Sequence, residues 1–354
     1  MQAVLVRAGD VQYQALVGAG LLAQVGEMVQ PLVPGKRCAV VADDNSAELF
    51  AGMVIGSLGV ADLEPTLIKV RPGESSKSLS VIGTVCDRMS SAGLDRSSFV
   101  IALGGGVIGD LAGFAAAIYH RGIPHVQLPT TLLAQVDSSI GGKTAVNTAA
   151  GKNLLGAVHQ PALVVADVDT LRTLPARELN QGFAEIIKHG VIRDPALFDM
   201  LEAFDRAQLV ELVRRNIEIK AEVVARDEHD VSGERAVLNF GHTVGHAIER
   251  ATAYKRFLHG EAVSLGIVAA CEISSRKASL ADHDRERVIR ALEQFGLPTS
   301  LPDDVDRAAV FDAMATDKKF ERGQVRFVVA DRLGSARLAT DITYDDIRQA
   351  VARL

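Results

Sequence analysis

The stretch FVIALGGGVIGDLAGFAAAIYH, Phe99 to His120, decides how the first half of this chain is read. It opens with an unbroken apolar run, passes through three consecutive glycines, and continues as a small-residue helical segment. A strand apolar on both faces belongs to a sheet covered on both sides, and a glycine turn leading directly into a helix is half of a parallel crossover. The same kind of run recurs on either side, at RCAVVAD (37–43), PTLIKV (65–70), HVQLP (125–129) and ALVVAD (162–167). This predicts a mostly parallel α/β domain over residues 1–173. From about Leu174 the pattern lengthens to helical periods, with one late strand candidate at QVRFVVA (324–330). A mainly helical second domain over 174–354 follows, as the length of the chain also leads one to expect.

Gly104, Gly106 and Gly109 fit G-x-G-x-x-G, and a strand on one side with a helix on the other is the context in which backbone amides hold a pyrophosphate. A tight strand-to-helix turn explains the glycines equally well when they stand alone. Two features depart from the usual dinucleotide fingerprint: the loop follows a late strand, and no acidic residue closes the next one, HVQLPTT. Ribose contacts must then come from elsewhere, and Asp43, Asp44 and Asn45, at the end of the first clear strand, are candidates.

A second glycine segment, DSSIGGKTAVN (137–147), imitates the tail of a phosphate-gripping P-loop. The first glycine of that motif would fall at position 137, where Asp137 stands. A carboxylate at the mouth of a loop meant to wrap a polyanion repels it. A nucleoside triphosphatase is therefore not expected.

The formal charge of −6 offers no basic field for nucleic acid or an anionic membrane. Any anionic substrate must meet locally clustered cations. Cys38, Cys86 and Cys271 are odd in number and scattered, and read as reduced core thiols. The opening MQAVLVRAGD does not resemble a signal peptide, and the apolar runs fall short of the ~20 residues of a membrane span. A cytoplasmic location is expected.

The segment RAVLNFGHTVGHAIE, 235–249, carries the most chemistry. On one continuous helix Arg235, Asn239, His242, His246 and Glu249 would form a narrow polar stripe on an otherwise apolar surface. A helix apolar nearly all round is buried, so its polar stripe must line a cavity or meet partners. A third histidine heads the next helical segment, HGEAVSLGIVAA, and Glu185 lies upstream in QGFAEIIKHG. Two histidines and one glutamate are the donor set of an open zinc site. Helical spacing makes His242 and His246 a natural pair of ligands, but spacing leaves open which imidazole meets metal and which meets substrate. Thr243 after His242 excludes the H-E-x-x-H protease signature. Lys143, Lys152, Lys188, Lys220, Arg235, Lys318 and Lys319 supply the cations that a phosphorylated carboxylate would need.

In order along the chain, GGGVIGD, YHRG, LPTTLLAQVDSSIGGKTAVN, GKNLLGAVHQP, FAEIIKHG, LNFGHTVGHAIE, LHGEAV and MATDKK resemble the 3-dehydroquinate synthases. The resemblance runs from about residue 40 to 330. It implies a Rossmann-like, NAD-binding α/β domain followed by a helical metal-binding domain, in a homodimer. It implies Glu185, His242 and His259 as ligands of zinc or cobalt, with His246 near the substrate phosphate. NAD would lie on Gly105, Gly106, Val107, Ile108, Gly109 and Asp110, with Thr130, Thr131, Lys143 and Lys152. Thr170, Leu171, Arg172 and Thr173 would join it, the loop with Gly73, Glu74, Ser75, Ser76 and Lys77 would lie near the adenosine, and Asp137 beside the nicotinamide. Substrate would meet Asp137, Lys143, Asn153, Lys188, Lys220, Arg235, Asn239 and Lys318 or Lys319. Arg121 would reach the phosphate bound by the neighbouring subunit. His120 stands where the family more often has an apolar residue, and one extra residue separates Lys220 from Arg235.

The implied substrate is a phosphorylated seven-carbon sugar acid, 3-deoxy-D-arabino-heptulosonate 7-phosphate, of the shikimate pathway. Phosphate must leave beside a C–H that is not acidic, and a transient ketone made with NAD would acidify it. Re-reduction, ring opening and an aldol closure would follow, regenerating the cofactor. The alternatives are another sugar phosphate cyclase, such as a 2-deoxy-scyllo-inosose synthase, a metal-dependent NAD polyol dehydrogenase, and a non-catalytic nucleotide-binding regulator.

Overall fold

The run Phe99–Gly104 is β5, an interior strand of a seven-stranded sheet, buried along its whole length. The computed structural model describes residues 1–228, 233–315 and 325–354, with the backbone alone at 315 and 325. The chain packs as two compact units, one of Met1–Leu174 with Ala207–His229, the other of Pro175–Arg206 with Asp230–Leu354.

In the first unit β1 (Gln2–Ala8), β2 (Val11–Gly18), β3 (Arg37–Asp43), β4 (Glu64–Val70), β5, β6 (His125–Pro129) and β9 (Leu163–Asp167) lie in the order β1-β2-β9-β6-β5-β3-β4. Only the β1–β2 pair is antiparallel. Alternation along β3 explains the two-sided burial. Cys38, Val40 and Ala42 face a core with Val25, Val54 and Leu58, while Ala39 and Val41 face another with Ile82, Ile108 and Leu111. A separate hairpin, β7 (Lys143–Thr148) and β8 (Gly151–Val158), carries the GGKT segment. The 18-residue helix Leu209–Arg226, from the later half of the sequence, packs on β1 and on the turn Ala134–Ser138.

Chain order sets where a ligand can bind in this sheet. From β3 the chain goes outward to β4, then crosses to the other side of β3 to enter β5. That reversal is a switch point, where the loops at the carboxyl ends of neighbouring strands diverge and leave a crevice. Register aligns these ends, since Asp43 pairs with Val70, Ala42 with Leu103, and Gly104 with Pro129.

The second unit is mainly helical, with helices Ala176–Ile192, Pro195–Glu202, His242–Ala251, His259–Lys277, Asp282–Gln294, Arg307–Ala315 and Tyr344–Val351. An antiparallel hairpin of β10 (Val325–Arg332) and β11 (Ser335–Ile342) joins them. Among the described residues no helix is long and apolar enough to cross a membrane.

The expected single helix over 235–249 is not formed. Glu234–Asn239 is a short tight helical turn, Gly241 takes a left-handed φ of 79°, and the α-helix begins at His242. The reason is packing. A Cβ on Gly241 would lie 2.8 Å from the Ile267 backbone nitrogen, and one on Gly266 would lie 1.9 Å from the Gly241 carbonyl oxygen. Only glycine tolerates both that dihedral and that approach. Arg235 and Asn239 therefore precede the break, and His242, His246 and Glu249 follow it.

Candidate functional site

In the first unit the glycine turn sits at the carboxyl end of β5. Gly105 is the N-cap of the helix Gly106–Ile118, and its carbonyl accepts from the Ile108 and Gly109 amides at 3.0 Å each. The leading amides of such a helix have no intrahelical carbonyl and favour an anion. The turn also has no room for side chains. A Cβ on Gly105 would lie 3.1 Å from Thr131 Cγ2, and one on Gly106 2.9 Å from Ser138 Oγ.

The other expected nucleotide residues stand on neighbouring strand ends. Asp43 closes β3 and its Oδ1 accepts from the Ser46 amide at 2.8 Å, with Asn45 exposed in the turn it caps. Gly73, Glu74, Ser75, Ser76 and Lys77 follow β4. Thr130 and Thr131 follow β6, where the Thr130 amide donates to Gly104 O at 2.9 Å. Thr170 to Thr173 lie in the turn after β9, where Thr170 is buried on Gln135 Nε2 at 3.1 Å and Arg172 pairs with Asp169 at 2.9 Å.

Lys77 is buried and paired with Asp110, which ties the β4 loop to the glycine-turn helix. Burial raises the Asp110 pKa, and the Lys77 ammonium counters this only in part. Asn147, which the sequence did not single out, fastens the same loop. Its amide donates to Lys77 O at 2.8 Å and its Nδ2 to Glu74 Oε1 at 2.7 Å, while its Oδ1 accepts from the Asn153 amide at 3.0 Å. Its fixed position between two loops is visible only in three dimensions. Lys143 is exposed on β7 and Lys152 half-buried on β8. Lys220 is buried and ion-paired to Asp137 Oδ1 at 2.7 Å. Arg121 is exposed and, like His120 before it, has a left-handed φ. Consecutive non-glycine residues in that region store strain.

The second unit brings together Glu185, His242 and His259, with donor atoms within 4.8 Å of one another. His242 Nε2 lies 3.3 Å and His259 Nε2 3.5 Å from Glu185 Oε1. Glu185 is wholly buried and lies 2.5 Å from the ammonium of Lys188, one turn on along the helix Ala176–Ile192. Burial alone would raise the Glu185 pKa. Lys188 and His242 outweigh it and hold the carboxyl well below the usual carboxylate range. Burial likewise lowers His259, and the facing carboxylates of Glu185 and Glu249 overcome it, raising the imidazole to about 10.

His246 is exposed, with its ring centroid 5.2 Å from His242 and 5.9 Å from His259. Arg235 is buried and Asn239 half-buried in the turn before Gly241. Lys318 and Lys319 lie outside the described residues.

His259 is held in place from two sides. The Gly260 amide donates to Gln181 Oε1 at 3.2 Å, and Glu261 Oε2 accepts from the Leu258 amide at 2.7 Å. Arg177, paired with Glu261 at 2.6 Å, ties this helix start to the helix Ala176–Ile192.

The donor set fits a divalent cation. Neither oxygen of the buried, ionised Glu185 carboxylate has a hydrogen-bond partner among the described residues. Two imidazole nitrogens face the same oxygen. Two nitrogens and a carboxylate, with further positions open, are the ligation of a catalytic zinc.

A sequence profile described as 3-dehydroquinate synthase N-terminal matches residues 67–181, and one described as 3-dehydroquinate synthase C-terminal matches 182–320. The chain is 42% identical to the 3-dehydroquinate synthase of Thermodesulfovibrio yellowstonii over 358 residues, 99% of each chain. It is 48% identical to that of Symbiobacterium thermophilum over 356 residues, 98% of this chain and 99% of the relative. Among solved structures, the 2-epi-5-epi-valiolone synthase ValA of Streptomyces hygroscopicus, with NAD+ and Zn2+ bound, matches with a TM-score of 0.88 at 29% identity, covering 98% of this chain and 97% of that one.

Proposed function

This chain belongs to the 3-dehydroquinate synthase family, and on that premise we propose that it converts 3-deoxy-D-arabino-heptulosonate 7-phosphate to 3-dehydroquinate and phosphate. It is a carbon–oxygen lyase that uses NAD and a divalent metal. The observation that carries the reading is the convergence of Glu185, His242 and His259 on one point of a chain otherwise built around a nucleotide-type glycine turn.

When bound, zinc or cobalt would supply Lewis acidity at a substrate hydroxyl, and NAD would supply a reversible hydride acceptor for a reaction that loses phosphate and ends in ring opening and aldol closure. The chain's own residues do the rest. Glu185, His242 and His259 would hold the metal. The Gly106–Ile118 helix start and the Thr130–Thr131 turn receive the nucleotide, as the loop 73–77, Lys152 and Thr170 to Thr173 do at its edges, with Asp137 beside the nicotinamide. Lys188, held against Glu185, presents a cation beside the metal ligands. Lys143, Asn153, Lys220, Arg235, Asn239 and His246 orient the carboxylate and phosphate of the substrate. Cations fixed at the phosphate favour its departing charge. Holding the opened chain folded supplies the proximity that aldol closure needs.

We further place the enzyme in the cytoplasm, where free Cys38, Cys86 and Cys271 stay reduced, as a homodimer in which Arg121 of one subunit serves the other's substrate. Incubation with the heptulosonate phosphate, NAD and zinc tests the reaction. Phosphate should be released without accumulating NADH, and a chelator should abolish it. Steady growth of NADH would instead identify a dehydrogenase, and release from a hexose phosphate alone another cyclase.

A further inference from the structure

Two imidazoles of the second unit aim the same ring nitrogen at the same carboxylate oxygen, His242 Nε2 at 3.3 Å and His259 Nε2 at 3.5 Å from Glu185 Oε1. Their opposite nitrogens are anchored differently. His242 Nδ1 lies 3.2 Å from the Phe240 carbonyl oxygen, whereas His259 Nδ1 lies 3.4 Å from Glu249 Oε2. Glu249 is only 4% exposed, on the helix His242–Ala251 and one turn beyond His246. Nothing in the reaction described above uses it. A buried carboxylate is costly unless a donor satisfies it.

We propose that Glu249 is a positioning residue that keeps the His259 proton on Nδ1, so that Nε2 presents its lone pair to a divalent cation shared with Glu185 and His242. The proposal rests on the reading of that triad as a metal site. An imidazole that gives its Nε2 lone pair to a cation keeps one N–H, on Nδ1, and an ionised carboxylate can only accept, so the pairing with Glu249 favours that form. The Phe240 carbonyl selects the same tautomer at His242. A carboxylate adds what a carbonyl does not, a full charge that makes the imidazole a better electron donor. Outer partners of this kind typically change metal affinity by about 10- to 100-fold.

One competing arrangement shares these atoms. His246, Glu249 and His259 also have donor atoms within 4.8 Å of one another, which would make Glu249 a ligand of a second ion. Stoichiometry separates the two.

The test uses the full chain, stripped of metal, with zinc affinity measured by competition against a chromophoric chelator and the Co2+ absorption spectrum recorded in parallel. Glu249→Ala should bind one zinc about 10- to 100-fold more weakly than the unsubstituted chain. Glu249→Gln, which keeps an acceptor but loses the charge, should fall between them and shift the cobalt bands, and it carries the test if the alanine variant does not fold. His242→Ala is the control for the triad. If it loses zinc while both Glu249 variants keep full affinity and an unchanged spectrum, the Glu249 proposal is overturned and the triad stands. If His242→Ala also keeps full affinity, the triad itself fails and the proposal with it. A drop from two bound ions to one in Glu249→Ala would make Glu249 a ligand and overturn the positioning role.

Discussion

Gly260 and Gln181 meet backbone to backbone: a Cβ on Gly260 would lie 2.0 Å from the Gln181 carbonyl oxygen. That contact seats the start of the helix His259–Lys277 on the helix Ala176–Ile192, one turn ahead of Glu185. Gly260→Ala sets two effects against each other. Alanine is a better helix former by roughly 0.8–1 kcal/mol, whereas overpacking against a backbone atom costs roughly 1–3 kcal/mol or more. The clash should win. Thermal unfolding should show a lower Tm, and zinc affinity should fall because His259 is pushed off its neighbours; an unchanged Tm with unchanged zinc binding would refute the contact.

Glu185→Gln should remove zinc almost completely while leaving the fold in place, because glutamine fills the same space beside Lys188. Glu185→Ala should be far more damaging. Both variants remove the charge that faces Lys188, but glutamine keeps an oxygen that can accept from the ammonium and fills the space. Alanine leaves a buried cation with no acceptor beside a cavity, and breaking a buried pair in this way costs roughly 3–5 kcal/mol. Metal content by atomic absorption and urea unfolding read the two effects separately. Full zinc occupancy and turnover in Glu185→Gln would refute the ligand assignment.

His125 sits fully buried in β6, stacked on His159 with ring centroids 5.0 Å apart. Neither of its ring nitrogens has a hydrogen-bond partner among the described residues. Burial and the neighbouring His159 push its pKa down to about 3. The unfolded chain takes up a proton there near pH 6.5 and the folded chain does not. Its contribution is thus fully present above about pH 6.5 and is lost as pH falls toward about 3, by roughly 1.4 kcal/mol per pH unit. Tm measured from about pH 7.5 down to about 5 should decline less steeply in His125→Phe than in the unsubstituted chain. Parallel slopes would count against a neutral buried imidazole.

Cys38 and Cys271 are buried, and burial pushes both thiols up to about 12. Cys86 is only half-buried and its pKa is raised less. Since the thiolate is the nucleophile, a disulfide reagent at about pH 8 should label Cys86 alone in the native protein and all three once it is unfolded. Rapid native labelling of Cys271 would show that the helix His259–Lys277 opens more readily than its packing implies.

What was legible in the sequence followed from periodicity. The five apolar runs are five of the strands of the central sheet, because doubly buried strands must be apolar throughout. The hairpin of β1 and β2 was not anticipated, since β1 alternates exposed and buried residues and has no continuous apolar run. The hairpin of β7 and β8 is likewise not foreseen, because glycine and lysine dominate its ends, and neither is β11, whose outer face is polar. At the site, Glu185, His242 and His259 were all named, yet the helix expected to carry Arg235 and His242 together is broken at Gly241. Only a partner helix one glycine away explains that break, and the partner lies beyond any local window. Glu249 was visible as a polar residue on the stripe, but its neighbour His259 is on another helix.

The helix Leu209–Arg226 covers β1, although it is made long after the sheet strands. During synthesis the β1 end of the nascent sheet must therefore wait uncovered while roughly fifty further residues are added, a delay of about 3–10 s at ribosomal speed. A fragment ending at Leu174 would stay in that state permanently, with apolar surface open to aggregation or to a chaperone. The order in which the ribosome delivers this chain is thus not the order in which its first sheet is closed.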